Sequence, residues 1–325
     1  MERSAMTASQ RAGGVRTQNN DIPAFSAGGA GAQFHGMIFL FPYIEQQAIF
    51  DEFMEIRNGS SGNNMWLNSQ DLGGNQHSFE NLTANTFITA AIAPLLCPSD
   101  AVGRAKGPTD ATRNNYRMSA GDQPGQYSDG TVRASRGPFS ERDFRVGMVA
   151  AVADGTSNTI AFAEKCIAGG SGETDVRVGV AAAVADVFNG TTGDSNVTNP
   201  SLCFNTRAGR EYGTLANTTL RTGTRFYSGS PISSSFSTIL APNSPSCHSN
   251  NGKDTFRAAM ITASSFHSGG VNTSMMDGSV RFVTDSITAG NNSTTASPGR
   301  DSERNSPYGV WGALGSARGG ESATL

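Results

Sequence analysis

His267 and Asp277 are the residues whose types and spacing first suggest chemistry: an imidazole, nine residues, then an acid followed by Gly278. A histidine can shuttle protons or ligate a metal, and a carboxylate is a common partner in either task. The intervening residues argue against the pairing. Val271, Thr273 and Met275 alternate with Asn272, Ser274 and Met276, which is strand patterning, and a straight strand of this length holds the two groups roughly 30 Å apart. Gly269-Gly270 bends the chain ahead of the strand. Asp277-Gly278 supplies both positive-φ positions of a tight turn after it, and Ser279 to Val283 return. The reading is a β-hairpin in which His267 ties the glycine bend to a neighbouring carbonyl or carboxylate and Asp277 shapes the turn.

The other candidates are weaker. His35, His77 and His248 lie in or beside loops without a partner at metal or triad spacing, and are expected at the surface. Asp154-Gly155-Thr156-Ser157-Asn158 offers oxygens that calcium accepts, but the D-x-[DN]-x-[DN]-G loop is absent, so these oxygens are read as holding an Asx-type turn. Glu164, at the end of the strand that follows, is expected to pair with an arginine. Cys97, ahead of Pro98, is a nucleophile by type. With no histidine near it in sequence and Leu95-Leu96 on its flank, it is read as a buried structural thiol. There is no G-x-S-x-G, H-E-x-x-H, P-loop or dinucleotide fingerprint, so an enzyme is not expected. The four cysteines, Cys97, Cys166, Cys203 and Cys247, show neither a C-x-x-C pair nor zinc-type Cys/His spacing. An even number allows up to two disulfides. Cys203 with Cys247 is the preferred pair because both lie in an irregular Pro- and Asn-rich region; the alternative is free, buried thiols.

The elements that must position these groups are short. Residues 1–33 read as a flexible lead-in, Pro42 opens a helix, and Ile44, Ala48, Ile49, Phe53 and Ile56 form its core stripe before Asn58-Gly59 ends it. Strands are predicted around residues 114–118, 144–152, 159–164 and 236–240, with Ile160 and Phe162 facing inward. Residues 168–230 carry the least periodicity and read as a variable insertion at one end of a sheet. After 289 the chain is expected to be a flexible tail in which residues 308–314 form a docking segment.

The hairpin segment FHSGGVNTSMMDGSVRFV (266–283) resembles the C-terminal signature of the pilin-like H-x(9)-DG family, a domain-of-unknown-function family of planctomycetes and related bacteria. LFPYIEQQAIFDEF (40–53), PLLCPSD (94–100), ADGTSNTIAFAE (153–164), APNSPSC (241–247) and SPYGVWGALG (306–315) match it in order. The resemblance implies an α+β, pilin-like fold: an N-terminal helix packed on an antiparallel β-sheet with long loop insertions and the C-terminal hairpin. The head would span residues 34–288. His267, Gly269, Gly270, Asp277, Gly278, Asp154, Gly155, Thr156, Ser157, Asn158, Cys97 and Pro98 carry the family motif in structural roles. Family members usually start with a prepilin leader and an apolar helix, and here a polar stretch occupies that place.

Composition agrees with an extracellular or periplasmic protein of the cell surface. Of 325 residues 39 are Gly and only 16% are charged, and the net charge of −3 without a basic run excludes nucleic acid as a partner. No apolar run approaches the about 20 residues needed to span a membrane. The expected function is a non-enzymatic structural subunit, a pilin- or pseudopilin-like head of a type IV pilus or type II secretion related system. Its partners would be like subunits or other pilin-like proteins. The alternative is an extracellular binding module for a polysaccharide or an envelope partner, favoured if Tyr212, Phe226 and Tyr227 share a groove. No cofactor is assigned; calcium enters only through pseudopilins that use it.

Overall fold

The computed structural model describes residues 36–58, 90–104, 112–124, 136–139, 152–169, 172–189, 197–213, 219–220, 222–224, 226, 230–249, 258–290 and 303–321. The expectations for residues 1–33 and 59–80, for most of the strand at 144–152, and for His35, His77 and Tyr227 lie outside them. The fold is mixed α+β, with several sheets and few helices.

The strands are β1 (Tyr116–Ser119), β2 (Ile160–Glu164), β3 (Val180–Ala182), β4 (Arg207–Ala208), β5 (Glu211–Tyr212), β6 (Thr219–Leu220), β7 (Ser235–Phe236), β8 (Cys247–His248), β9 (Ala259–Met260), β10 (Gly270–Met275) and β11 (Val280–Thr284). A five-stranded sheet runs β11-β10-β2-β1-β7, a four-stranded sheet runs β6-β3-β8-β9, and β4-β5 is a separate ribbon. The predicted antiparallel sheet is thus mixed, since β7 lies parallel to β1 and β8 parallel to β3.

The hairpin follows the predicted register, Gly270 opposite Thr284 through Ser274 opposite Val280, and Val271, Thr273 and Met275 are buried while Asn272 and Ser274 are half-buried. Its turn departs from expectation. Only Gly278 has positive φ (+86°), and the Gly278 amide donates to the Met275 carbonyl at 3.0 Å while the Met275 amide donates to Ser279 at 2.8 Å. This is a turn closed by a glycine bulge rather than the two-residue turn with both positions left-handed. At the other end Gly270 is required for closeness: a Cβ there would sit 2.2 Å from the Val283 carbonyl oxygen.

β2 sits between β1 and β10 and is apolar on both faces. Phe162 is only half-buried, against the prediction, and its ring lies 5.2 Å from that of Phe139. The two larger sheets share one core. Ile160, Ala163, Val271, Met275 and Val283 of the first meet Val180, Ala182, Leu220 and Ala259 of the second, with Trp311 and Leu314 of the helix Gly309–Gly315 among them. The docking segment expected at 308–314 is thus in place, with Trp311 and Leu314 seated in the shared core. On its other side the second sheet buries Ala181, Cys247 and Met260 with Cys203 and Tyr308.

Residues 168–230, read as the stretch of least order, supply β3 to the inside of the second sheet; three residues of Ala and Val carry too little periodicity to announce a strand. Three further expectations are corrected. Pro42 does not open the helix: it lies in a 3-10 helix, Gly36–Tyr43, and Glu45 at φ +61° breaks the chain before the helix Gln47–Asn58. That helix packs on the 3-10 segment, with Phe39 and Phe50 6.3 Å apart, and Ala48 of the expected core stripe is exposed. His248, expected at the surface, is fully buried in β8.

Candidate functional site

Cys97 is set in place by a buried polar network. Pro94 occupies the first turn of the 3-10 helix Ala93–Leu95, and the chain then turns so that the Asp100 amide donates to the Cys97 carbonyl at 3.0 Å. Asp100 caps the helix Ala101–Arg104 through the Val102 amide (3.1 Å), and its second oxygen accepts from the Ile167 amide (2.9 Å) and from Asn115 (2.8 Å). Asn115 in turn accepts from the Cys97 amide at 2.9 Å. Asp100 and Asn115 are both buried, so the position of the thiol is fixed from inside the fold.

Glu164 is the last residue of β2 and is 4% exposed. Its Oε2 accepts from the Asn272 amide of β10 at 2.7 Å, and its Oε1 accepts from the Asn272 side chain at 3.3 Å. The expected arginine partner is replaced by a histidine: Oε1 lies 3.1 Å from Nε2 of His267. His267 reaches it from the arm before the hairpin, where its amide donates to Ser265 Oγ (3.0 Å), which donates to the Gly270 carbonyl (2.7 Å).

The same His267 Nε2 lies 3.5 Å from Cys97 Sγ, 170 residues away in sequence, and 3.4 Å from Ser99 Oγ. Sγ and Oγ are 3.0 Å apart. Cys97, Glu164 and His267 thus each offer a donor atom within 4.8 Å of the others, two of them buried and His267 one-third exposed (34%). Cys97 is buried, as read, and the histidine that no sequence neighbour supplied reaches it from 170 residues away. The arrangement is not a thiol–imidazole–carboxylate relay. Such a relay uses the two ring nitrogens separately, one for the nucleophile and one for the carboxylate, and here both partners crowd one nitrogen. What three such atoms can do together is hold a metal ion.

The other motif residues serve the scaffold. Asp277 is exposed at the hairpin turn and accepts from the Ser279 amide (2.9 Å) and hydroxyl (2.7 Å), bonds that hold its carboxyl below the usual range. It is not brought to His267. The turn at Asp154–Asn158 docks directly on this hairpin turn: the Asp277 amide donates to the Thr156 carbonyl (3.1 Å) and the Met276 amide to Thr159 (2.9 Å). Asn158 braces its own turn by donating to the Asp154 carbonyl at 3.2 Å. The Asp154 carboxylate does not hold that turn. It accepts from the Gly319 amide (2.6 Å), the Gly320 amide (2.9 Å) and Ser316 Oγ (3.0 Å), fastening the C-terminal segment. Pro98 is exposed, Gly155 (+93°) and Gly269 (+77°) take positive φ, and Ser157 is exposed. Cys203 and Cys247 form a buried disulfide, and Cys97 and Cys166 are free, with burial pushing the Cys166 thiol up to about 12.

Sequence reading missed Glu164, Asn272 and Ser99 as members of the cluster. A signal existed for the first, a lone acid closing an otherwise apolar strand, where burial demands a partner. The expected aromatic groove is not formed by Tyr212 and Phe226: the Tyr212 hydroxyl lies 3.0 Å from the Gly179 and Ser246 carbonyls, and Phe226 is buried 5.4 Å from the Phe41 ring. A different cleft, of about 570 Å³, opens beside His267. Arg177, Arg207 and Arg210 line it with Phe204, Phe266 and Asp285. Arg207 stacks on Phe204 at 3.8 Å and Arg177 on Phe266 at 4.6 Å, and Arg177 also pairs with Asp175 at 2.6 Å.

No curated protein and no solved structure matches the chain. Residues 9–290 match the profile of the family described as "Protein of unknown function (DUF1559)", and the chain belongs to that family.

Proposed function

We propose that this protein is a non-enzymatic structural subunit of the cell envelope, the surface-displayed head of a pilin- or pseudopilin-like protein. The observation that carries the reading is the buried Cys203–Cys247 disulfide, which joins residues 44 apart in sequence within the second sheet's core. Disulfides of this kind form and persist in oxidising compartments and are rare in the cytosol. The edge strand β11 supports assembly with like subunits: Val280 is 70% and Phe282 47% exposed beside backbone groups that a neighbouring strand can pair. Among the described residues no helix is long and apolar enough to cross a membrane, so anchoring would come from segments other than these. Mild protease treatment of intact cells producing the native gene product tests the reading. Accessible protein with Cys203 and Cys247 oxidised is expected; protein found only in the cytosol, with both thiols reduced, rejects it.

A second reading, an extracellular binding module for an acidic polysaccharide, is favoured by the arginine cleft. Guanidinium groups stacked on aromatic rings are pre-organised to pair with carboxylate or sulfate groups. Binding of uronate or sulfated oligosaccharides that weakens in Arg207→Ala and Arg210→Ala would promote it over the first. Absence of binding to any charged glycan removes it.

A further inference from the structure

We propose that Cys97, Glu164 and His267 form a binding site for a zinc-type divalent metal ion, which clamps the Cys97–Asp100 turn, the end of β2 and the arm before the hairpin to one another. The inference goes beyond the structural reading above and does not depend on it.

An imidazole nitrogen has one in-plane direction in which to donate or accept. Yet Sγ of Cys97, Oε1 of Glu164 and Oγ of Ser99 all lie within 3.1 to 3.5 Å of the same Nε2. Hydrogen bonding can serve one of them. A metal ion in their midst serves all of them, because the nitrogen lone pair, a thiolate and a carboxylate oxygen then point at a common centre rather than at each other.

The spacing agrees with that centre. Tetrahedral zinc, with bonds of about 2.3 Å to sulfur, 2.0–2.1 Å to nitrogen and 2.0–2.2 Å to oxygen, places sulfur and nitrogen about 3.5 Å apart and nitrogen and oxygen about 3.3 Å apart. The observed separations are 3.5 Å and 3.1 Å. Ser99 Oγ, 3.4 Å from Nε2 and 3.0 Å from Sγ, is an exposed hydroxyl at the rim of these three donors.

The donor types select the metal. One sulfur and one imidazole nitrogen suit zinc, cobalt or a similar transition ion, whereas calcium and magnesium take oxygen donors. Charge also balances: thiolate plus carboxylate neutralise a divalent ion, and the thiol proton is released to solvent on binding. The outer groups are in place. Asn272 holds both oxygens of Glu164, and Asn115 fixes the Cys97 backbone, as ligand-orienting partners do in metal centres.

The experiment uses the full chain, disulfide intact, stripped with a chelator and titrated with cobalt(II). One equivalent is expected to bind with a thiolate-to-cobalt charge-transfer band and the intense visible bands of a tetrahedral site; zinc displaces it and calcium does not. Cys97→Ser abolishes the charge-transfer band, and Glu164→Gln and His267→Ala weaken binding by more than about 100-fold, since even outer-shell partners change affinity by about 10–100-fold. Cys166→Ser keeps the band. A second measurement needs no variant: zinc shields Cys97 of the native chain from alkylation, read by peptide mass spectrometry. A band that survives Cys97→Ser, displacement by calcium, or equal alkylation of Cys97 with and without zinc overturns the proposal.

Discussion

The two larger sheets share a core but are held together by different means. In the first, β10 and β11 run for six and five residues, and β2 is clasped between β10 and β1, so backbone ladders and alternating side chains carry the sheet. In the second, the strands are two or three residues long. There the structure rests on side chains that bond to backbone and on a covalent link. The Tyr212 hydroxyl accepts from the Ser246 amide (3.1 Å), Ser246 Oγ accepts from the Thr262 amide (3.0 Å), and the Lys165 ammonium donates to the Arg177 carbonyl (2.7 Å) and to Ser246 (3.3 Å). Cys203–Cys247 closes the set. Short ladders leave register weakly specified, and buried polar bonds with a disulfide supply the specification instead.

The largest effect is expected where the two sheets meet. Trp311 is fully buried in the shared core and its indole donates to the Leu240 carbonyl at 2.9 Å. Trp311→Ala should cost about 3–5 kcal/mol and weaken both sheets alike, seen as hydrogen-exchange protection lost from β2 and β3 together. Loss from one sheet alone would mean that the core is not common to both. Next comes the disulfide. Replacing Cys203 and Cys247 with Ala should cost about 2–4 kcal/mol, since the link constrains the unfolded chain across a long loop. Protection should fall first in β3 and β8 while the hairpin persists; equal loss in β10 and β11 would break the contrast drawn above. Gly270→Ala is the converse. Its Cβ would meet the Val283 carbonyl oxygen at 2.2 Å and the Phe282 ring at 2.8 Å, so the hairpin must shift, at about 1–3 kcal/mol, with the disulfide-linked sheet spared.

The same contrast explains what the sequence revealed. The hairpin was legible because period-2 alternation over 271–275 and an Asp-Gly pair are local signals, although the turn type was misread because Asp277 does not need positive φ. β3 and β8 were not legible, because strands of two or three residues have no measurable period. Of the candidate metal cluster only His267 was singled out for chemistry. Cys97 and Glu164 were each seen and set aside, because their partner stands 170 and 103 residues away in sequence and no spacing rule reaches so far. Ser99 carried no signal, as a serine after a proline in a turn is ordinary. The carboxylate of Asp154 was credited to its own turn for a like reason: the amides of Gly319 and Gly320 that it holds lie 165 and 166 residues away in sequence.

The smallest effect at any one step is a pH slope on the side of β1. Asp122 and Arg136 form an ion pair at 3.1 Å with both side chains fully buried, and among the described residues Asp122 Oδ1 and Arg136 Nε find no hydrogen-bond partner. Burial pushes the Asp122 carboxyl from its ordinary 3.8 up to about 6, against the opposing pull of Arg136. An acid that ionises less readily in the folded state holds its proton more tightly there. Its contribution to stability is therefore complete below the ordinary value and is lost as pH rises to about 6, at no more than about 1.4 kcal/mol per pH unit for a single proton. Urea unfolding of the native chain and of Asp122→Asn between pH 4 and 7 isolates the contribution. The stability of the native chain relative to the variant should fall as pH rises to about 6 and level off beyond it. A difference that instead grows with pH would mean that the attraction of Arg136 outweighs burial, making the pair a net support of the first sheet near neutral pH. The second sheet's staple offers no such lever, because a disulfide does not titrate, and a pH slope confined to exchange in β1 would separate the two sheets as cleanly as the substitutions do.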